Sequence, residues 1–216
     1  MKKNIAILGS TGSIGKTLFD IIQKDRSKFC VKLLTSHRNT KILLKQVKIF
    51  NVKDIIVTDK KSFLKLKKLL KNTNLNIYND FSELDKIFKN YKIDYLMNSI
   101  SGLEGLEPAL NAIKYCKSIA IANKESIICG WNLIEKELLK YKTKFIPIDS
   151  EHFSIMSLLE QTQIKDVESI FITASGGPFL NYPLSKFNSI TPKLALNHPS
   201  WKMGKKISID SATMMN

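Results

Sequence analysis

The chain alternates short apolar runs with longer stretches in which hydrophobic residues recur every three or four positions. Short β-branched runs are typical of strands buried on both faces of a parallel sheet, and the wider spacing is typical of amphipathic helices. Strands are predicted at 3–8, 29–35, 54–58, 93–98, 118–122 and 145–148, with a further β/α unit over 77–89. Helices are predicted through Leu18, Ile21 and Ile22, and then at 42–50, 60–71, 108–115 and 133–141. This alternation predicts an α/β fold with a doubly wound parallel sheet.

Two details of this pattern can be tested by a structure. The lysine-rich helix at 60–71 contains four leucines that we expect to be available to face the sheet, namely Leu64, Leu66, Leu69 and Leu70. The pattern loosens after Asp149, and we therefore predict a first domain over 1–146 and a second region over 147–216. Within the second region, the apolar run 170–174 predicts one more strand.

A glycine-rich turn, Gly9-Ser10-Thr11-Gly12-Ser13-Ile14-Gly15, directly follows the first predicted strand. Glycine permits the tight turn, allows backbone to approach a pyrophosphate, and lets the helix pack close to the strand. The helix that follows presents free N–H groups and a favourable dipole to an anion. Because the turn lies between a buried strand and a helix, with a second strand following, it predicts a dinucleotide site. A tight turn without a ligand is the alternative.

The end of the second strand indicates which dinucleotide is bound. A carboxylate there would bind the ribose 2′-hydroxyl of NAD, but the chain has Thr35-Ser36-His37-Arg38-Asn39-Thr40. Arg38 is one of only two arginines in the sequence, and it follows the strand where a 2′-phosphate would lie. This favours NADPH, with a surface ion pair as the alternative role for Arg38.

The formal net charge of +15 raises the question of nucleic-acid binding. Proteins that recognise phosphates and bases rely on arginine, yet 32 of the 34 basic residues are lysines spread along the chain. We interpret the charge as solvated helix faces, and we expect no nucleic-acid partner. No apolar run is long enough to cross a bilayer and no signal-peptide pattern is present, so we expect a cytoplasmic protein without a membrane partner. The three cysteines form no metal or redox motif, and we expect buried, reduced thiols.

A pair of carboxylates, Asp149 and Glu151, follows the strand predicted at 145–148. Ligands of open α/β sheets bind beyond the carboxyl ends of the strands, and two nearby carboxylates can bind one divalent cation. Asp149 can equally cap a helix, with Glu151 favourable to the helix dipole. The spacing does not decide between these roles, and the adjacent His152 can be a ligand or a structural hydrogen-bonding group.

Two later loops contain further candidate groups. Ser175-Gly176-Gly177 can form a backbone nest for an anion, or an ordinary turn. The loop at 197–204 contains a histidine, a tryptophan and a methionine, and it can be a lid that excludes water or a packed surface loop. The last residues, 208–216, are rich in small hydroxyl side chains.

Six segments, taken together and in order, closely resemble the 1-deoxy-D-xylulose 5-phosphate reductoisomerase family. They are Gly9–Gly15, Ala122-Asn-Lys-Glu-Ser126, Pro147-Ile-Asp-Ser-Glu-His152, Ser175-Gly-Gly-Pro-Phe179, His198-Pro-Ser-Trp-Lys-Met-Gly204 and Asp210-Ser-Ala-Thr-Met-Met-Asn216. The resemblance implies a Rossmann-type NADP-binding domain followed by an incomplete α+β catalytic domain. It also implies an NADP-dependent oxidoreductase that acts on a CH–OH donor in non-mevalonate isoprenoid biosynthesis.

The resemblance further implies a role for each matching residue. The cofactor residues would be Gly9, Thr11, Gly12, Ser13, Ile14, Gly15, Arg38, Asn39, Asn123, Glu125 and Gly204. Lys124, Ser150 and His198 would be the catalytic residues, and Asp149 and Glu151 would bind Mg²⁺ or Mn²⁺, with Co²⁺ as a further candidate. The sugar-phosphate substrate would contact Ser150, Ser175, His198, Trp201, Met203, Ser211 and Asn216, with Trp201 and Met203 as a lid.

The resemblance also sets limits on what the isolated chain is expected to do. In the family a phosphate-binding lysine directly follows the position of Asn216, and a glutamate shortly after it is the third carboxylate ligand of the metal. The 216 residues contain neither, so we expect a fragment with impaired turnover. The family is homodimeric, which we expect of the full-length form. The alternatives are a different NADP-dependent dehydrogenase, a non-catalytic NADPH-binding remnant, and a basic nucleic-acid-binding protein.

Overall fold

The computed structural model describes residues 1–89, 92–200, 204–210 and 212. The chain forms two compact units, Met1–Phe153 and Ser154–Asn216. The domain boundary predicted after residue 146 lies before the end of the first unit, inside its last strand, and it stays a prediction.

The first unit is built on a parallel sheet of seven strands in the described residues. The strands are β1 (Lys3–Leu8), β2 (Phe29–Ser36), β3 (Asp54–Val57), β4 (Asn76–Tyr78), β5 (Ile93–Asn98), β6 (Cys116–Ile121) and β7 (Lys144–Pro147). Their order across the sheet is β4-β3-β2-β1-β5-β6-β7. All neighbouring pairs are parallel, which confirms the predicted doubly wound sheet.

Helices connect the strands and continue into the second unit. They are α1 (Ser13–Lys24), α2 (Thr40–Phe50), α3 (Lys60–Leu69), α4 (Leu84–Phe88), α5 (Leu106–Ile113), α6 (Lys124–Tyr141), α7 (Ser150–Leu159), α8 (Pro192–Ala195) and α9 (Lys205–Asp210). The start predicted for α6, at Leu133, is wrong: the helix begins at Lys124, directly after β6. In the part of the chain that the structure describes, no helix is long and apolar enough to span a membrane.

The central strand β1 is buried on both faces of the sheet. Ala6 and Leu8 belong to one hydrophobic cluster, and Ile5 and Ile7 belong to the other. Side chains alternate along a strand, so an unbroken apolar run supplies both clusters at once. Helices cover each cluster, so the sheet lies between two helical layers, and the turn after β1 lies at the carboxyl end of the central strand.

For the lysine-rich helix α3, the prediction that all four leucines are available to face the sheet is wrong in part. Leu66 is buried and Leu70 is half-buried, but Leu64 and Leu69 are 55% and 68% exposed. The buried face is formed by Phe63, Leu66 and Leu70, which follow the i, i+3, i+7 spacing of one helix face. Leu64 and Leu69 lie off that stripe, so they stay in solvent.

The second unit contains loops and short helical turns in its described residues. The strand predicted at 170–174 is wrong, because this segment has no strand assignment and Phe171 is 84% exposed. A strand requires a pairing partner, and no described residue pairs with this segment. Phe179, Tyr182 and Phe187 pack edge to face or tilted against one another.

Candidate functional site

The order in which the chain adds strands to the sheet reverses between the central strand β1 and its neighbour β5. The chain runs from β1 outward to β4, and it then returns to β5 and proceeds to the opposite edge. The carboxyl ends of the strands on either side of such a switch form a crevice where α/β proteins bind ligands. Gly9 follows β1 at this point, and Ser99 follows β5.

The glycine turn is packed tightly against the loop after β5. Gly9 has φ +76°, and a Cβ there would lie 2.8 Å from the carbonyl oxygen of Ser99. The Ser99 hydroxyl donates to the carbonyl oxygens of Leu8 and Gly9, at 2.7 and 3.1 Å. At Gly15, a Cβ would overlap Gly9 O and lie 2.7 Å from Ser10 Cα. Both positions therefore require glycine.

The helix that follows the turn has an open N-terminus. Gly12 is its N-cap, with no side-chain cap and no acidic residue in the first turn. Gly12, Ser13 and Ile14 are exposed. Because the first N–H groups of a helix lack intrahelical partners, this end attracts an anion. The predicted pyrophosphate residues therefore share one accessible, positively polarised end of α1.

A buried polar network lies beneath the turn, and sequence reasoning missed it. Ser10 is fully buried, and its hydroxyl donates to Gln46 Oε1 at 2.8 Å. Gln46 Nε2 returns a hydrogen bond to Ser10 O at 2.9 Å, and Thr35 Oγ1 accepts from Gly9 N at 2.8 Å. The network joins the turn to α2 and β2. Gln46 lies in the middle of an amphipathic helix, so no local pattern distinguishes it.

At the end of β2, Arg38 forms an ion pair with Asp59. The guanidinium Nε lies 3.1 Å from Asp59 Oδ1, and the Arg38 side chain is 74% exposed. Asp59 Oδ2 accepts the Ser62 backbone N–H at 2.9 Å, as the N-cap of α3. The hydrogen bonds from Ser62, with a smaller contribution from Arg38, lower the pKa of Asp59 to about 2. The ion pair that the sequence left open is present, and Asp59 was missed.

Asn39 and Thr11 are linked through Ser36 at the end of β2. Ser36 Oγ lies 2.8 Å from Thr11 Oγ1 and accepts the Asn39 backbone N–H at 3.2 Å. Asn39 Oδ1 caps α2 by accepting the Ile42 N–H at 3.2 Å. The ends of β1 and β2 thus bring the predicted pyrophosphate and adenosine residues to one edge of the sheet.

On the other side of the switch, Asn123 lies at the N-terminus of α6 and is 6% exposed. Its Nδ2 donates to Gly102 O and to Ser126 Oγ, both at 2.6 Å. Its Oδ1 is buried and has no hydrogen-bond partner among the described residues. A buried polar atom without a partner is rare in proteins and marks a position where a ligand can donate. The early start of α6 is what brings Asn123, Lys124 and Glu125 to the crevice.

Asp149, at the start of α7, is close to the same helix end. Its Oδ1 accepts the backbone N–H of His152 at 3.0 Å and lies 2.6 Å from His152 Nδ1. Partial burial raises the pKa of Asp149, but the hydrogen bonds from His152 and the charge of Lys124 outweigh this, and the net shift is downward. Asp149 therefore stays ionised, and the helix-cap role that the sequence left open is present.

Glu151 is the other predicted metal ligand. The Ser150 hydroxyl donates to Glu151 Oε2 at 2.9 Å. Carboxylate oxygens are the hard ligands that Mg²⁺ prefers, so Asp149 and Glu151 suit such an ion in kind. Within the described ranges no group of three or more His, Cys, Asp or Glu side chains could hold a metal. The remaining ligands of such an ion would come from outside this pair of carboxylates.

In the second unit, His198 and Ser175 are in contact. His198 is 7% exposed, and its Nδ1 accepts the Ser200 N–H at 3.1 Å. This bond leaves the ring proton on Nε2, which lies 2.8 Å from Ser175 Oγ and donates to it. Ser175 Oγ also accepts the Gly177 N–H at 3.2 Å. The serine-glycine loop and the histidine therefore form one polar cluster.

The remaining predicted residues are only partly described. Gly204 is exposed and accepts the Ser208 N–H at 3.0 Å, at the start of α9. Trp201, Met203, Ser211 and Asn216 lie outside the described residues.

The cysteines are only partly as expected. Cys116 is buried, and burial raises its pKa to about 12, but Cys129 is exposed and Cys30 is half-buried.

The chain matches two models of one protein family. The model of 1-deoxy-D-xylulose 5-phosphate reductoisomerase matches residues 5–130. The model of the C-terminal domain of the same enzyme matches residues 145–216. The chain belongs to the 1-deoxy-D-xylulose 5-phosphate reductoisomerase family.

Individual reductoisomerases agree with this membership along nearly the whole chain. The protein of that name from Pelagibacter ubique is 61% identical over 215 residues, which is 99% of this chain and 55% of the relative. The Clostridium novyi protein is 41% identical over 99% of this chain and 56% of the relative. The chain therefore spans about half the length of these curated relatives.

Solved reductoisomerase structures have the same fold. The Zymomonas mobilis enzyme in complex with NADPH has a TM-score of 0.85 at 34% identity, over 100% of this chain and 55% of that one. A reductoisomerase in complex with NADPH, fosmidomycin and magnesium has a TM-score of 0.83 at 31% identity, over 99% and 55% of the two chains. The first family model includes the glycine turn, Arg38 and Asn123, and the second includes Asp149, Glu151, Ser175 and His198.

Proposed function

We propose that the first unit binds NADPH across the switch between β1 and β5, as part of a 1-deoxy-D-xylulose 5-phosphate reductoisomerase. The observation that carries this proposal is the open N-terminus of α1 beside the close contact of Gly9 with Ser99. Thr11, Gly12, Ser13 and Ile14 form the pyrophosphate site, in which the first backbone N–H groups of α1 donate to the phosphate oxygens, and Gly15 allows α1 to approach it. Relatives solved with NADPH support the choice of cofactor.

Arg38 and Asn39 recognise the adenosine 2′-phosphate. Asp59 engages Arg38 through Nε, so we infer that the terminal nitrogens of the exposed guanidinium contact the phosphate. The planar guanidinium binds phosphate oxygens in pairs, which lysine cannot do. No carboxylate follows β2 to bind the free ribose hydroxyl of NADH. The site therefore favours NADPH.

Asn123, Lys124 and Glu125 form the nicotinamide end of the site, next to the substrate. The Asn123 Oδ1 atom is buried and finds no partner in the residues that the structure describes, and it accepts a hydrogen bond from the nicotinamide carboxamide. NADPH, when bound, supplies the hydride of the reduction. Lys124 lies close enough to Asp149 to affect its ionisation, and we infer that it contacts substrate oxygens.

Asp149 and Glu151 would hold Mg²⁺, or alternatively Mn²⁺ or Co²⁺. Such a cation supplies Lewis-acid polarisation of substrate oxygens, which favours rearrangement of the carbon skeleton. Asp149 is kept ionised by His152, and Ser150 orients Glu151 through its hydroxyl. A relative solved with magnesium supports this assignment.

The second unit binds the sugar phosphate. Ser175, Ser211 and Asn216 bind the phosphate, His198 lies against the substrate, and Trp201 and Met203 close over it, with Gly204 beside the cofactor. The contact of His198 Nε2 with Ser175 Oγ supports a shared role for these two residues. The overall reaction converts 1-deoxy-D-xylulose 5-phosphate to 2-C-methyl-D-erythritol 4-phosphate. Remote phosphate binding supplies binding energy that orients the substrate for this reaction.

The second candidate function is NADPH binding without turnover. It is favoured by the finding that, among the described residues, no group of three or more His, Cys, Asp or Glu side chains is arranged to hold a metal. Binding of nucleic acid is the remaining alternative, and it would show as DNA or RNA affinity that falls steeply with salt. A cytoplasmic location, a homodimer and the division at residue 147 remain predictions from the sequence.

A chimera tests the proposed reaction. The 216 residues are fused to the remaining C-terminal part of the Pelagibacter ubique relative, and NADPH oxidation is followed with 1-deoxy-D-xylulose 5-phosphate and Mg²⁺. We expect metal-dependent oxidation by the chimera and no appreciable turnover by the 216-residue chain. Loss of the chimera's activity in the Asp149→Asn variant would support the metal role. A folded chimera that binds NADPH but never consumes it would contradict the proposed reaction.

A further inference from the structure

Gly105 precedes α5 with an ordinary backbone conformation. Its φ and ψ are −80° and −15°, which any residue adopts easily. A Cβ there would nevertheless overlap Asn123 Nδ2 and lie 2.9 Å from Ile100 O. Glycine is therefore required at this position by the close approach of the Asn123 amide and the Ile100 carbonyl oxygen, and not by its own φ and ψ.

The Asn123 amide is held in one orientation. Its two N–H groups donate to Gly102 O and Ser126 Oγ, and Ser126 is fully buried. Exchanging the amide oxygen and nitrogen would set Oδ1 against the Gly102 carbonyl oxygen, and two acceptors repel. The observed orientation therefore leaves Oδ1 as the amide atom that has no partner in the described part of the chain.

The loop that contains Gly102 and Gly105 is itself fixed to the sheet. Asn98, at the end of β5, is fully buried, and its Nδ2 donates to Gly105 O at 2.8 Å. Asn98 Oδ1 accepts the Ile100 N–H at 3.3 Å. Both ends of the Asn98 amide thus hold the loop in the position that Asn123 requires.

We propose that Gly105 and Ser126 are positioning residues for the nicotinamide end of the cofactor. They hold Asn123 so that its Oδ1 accepts an N–H from the carboxamide, a primary amide that the adenosine half of NADPH lacks. The inference rests on the proposed NADPH site, and it concerns the nicotinamide half alone. Substitutions here should therefore leave binding of the adenosine half unchanged.

Gly105→Ala tests this inference, with Gly130→Ala as the matched control. The three atoms nearest to a methyl group at Gly130 all belong to the flexible, apolar side chain of Leu106. The dissociation constants of NADPH and of 2′,5′-ADP, which lacks the nicotinamide half, are measured for each 216-residue variant. For Gly105→Ala we expect roughly tenfold weaker NADPH binding, the effect of one lost hydrogen bond, and unchanged 2′,5′-ADP binding. Gly130→Ala should bind both ligands as wild type does.

Ser126→Ala provides an independent variant, because alanine favours the helix and removes only one acceptor of the Asn123 amide. We expect severalfold weaker NADPH binding and a smaller increase in nicotinamide fluorescence on binding, again without a change for 2′,5′-ADP. Unchanged NADPH binding in both variants, or equal losses for the two ligands, would overturn the inference. If wild type binds neither ligand, the proposed cofactor site itself is wrong. If wild type binds both and the variants do not discriminate, only the positioning role is wrong.

Discussion

Ser10 is fully buried although it lies in a turn, and its partner Gln46 is 4% exposed. Their buried polar side-chain atoms form hydrogen bonds to each other's residue or to Thr35, and these bonds offset the cost of removing the polar groups from water. The glycines at 9 and 15 were recognisable from the sequence, because their spacing is local. Gln46 and Asp59 were not, because each acts through a contact with a residue distant in the chain.

Replacing Gln46 by leucine should loosen the glycine turn. Ser10 O and Ser10 Oγ would each lose a buried partner, and we expect a loss of about 1–3 kcal/mol in the free energy of unfolding. Binding of NADPH and NADH should weaken by similar factors, because the pyrophosphate is common to both. Urea unfolding and fluorescence titration measure the two effects. Gln23→Leu, an exposed position on α1, is the control and should change stability by no more than about 0.5 kcal/mol.

Asp59 should give the folded state a defined dependence on pH. Its pKa is lowered from 3.8 to about 2 in the folded protein, so the ionised form is favoured by folding. The resulting stability is fully present above about pH 4 and is lost as the pH falls towards 2. Asp59→Asn retains the N-cap and removes the charge. The difference in urea midpoint between wild type and Asp59→Asn should therefore shrink across this range, and a difference that grows on acidification would contradict this cause.

At the scale of elements, the sequence predicted the strands of the parallel sheet well. Buried parallel strands such as β1 are unbroken apolar runs, and that signal is local. The sequence predicted burial and strand pairing less well where these depend on neighbouring elements. Leu64 and Leu69 are exposed, and the segment 170–174 has no partner strand among the described residues. The start of α6 was missed because its first turn, Lys124-Glu125-Ser126, is polar and hides the hydrophobic spacing.

The contact between α1 and the turn after β1 gives a prediction at this scale. In Gly15→Ala the added methyl would overlap Gly9 O, and neither backbone segment can move easily. We expect a loss of about 1–3 kcal/mol in stability and no measurable NADPH binding. Gly12→Ala is the control for stability, since its methyl would lie 3.4 Å from Gly9 O. Equal stability of the two variants, measured by thermal unfolding, would contradict the packing described for Gly15.

For the molecule as a whole, the strand order brings the glycine turn after β1 and the end of β2 to the same edge of the sheet, at the carboxyl ends of the strands. The high positive charge is carried mainly by lysines, such as those of α3. The sequence alone assigned most of the candidate residues through ordered motifs. It could not show how they are held, because the supporting contacts of Asp59 and Gln46 join distant parts of the chain.

The central claim is that this edge binds NADPH and distinguishes it from NADH through Arg38. The most direct measurement is a fluorescence titration of the 216-residue chain with each cofactor, for wild type and for Arg38→Ala, with Arg26→Ala as the matched control. We predict a clear preference of wild type for NADPH, which Arg38→Ala largely removes by weakening NADPH alone, whereas Arg26→Ala keeps it. Equal affinity of wild type for the two cofactors, or an undiminished preference in Arg38→Ala, would contradict the account.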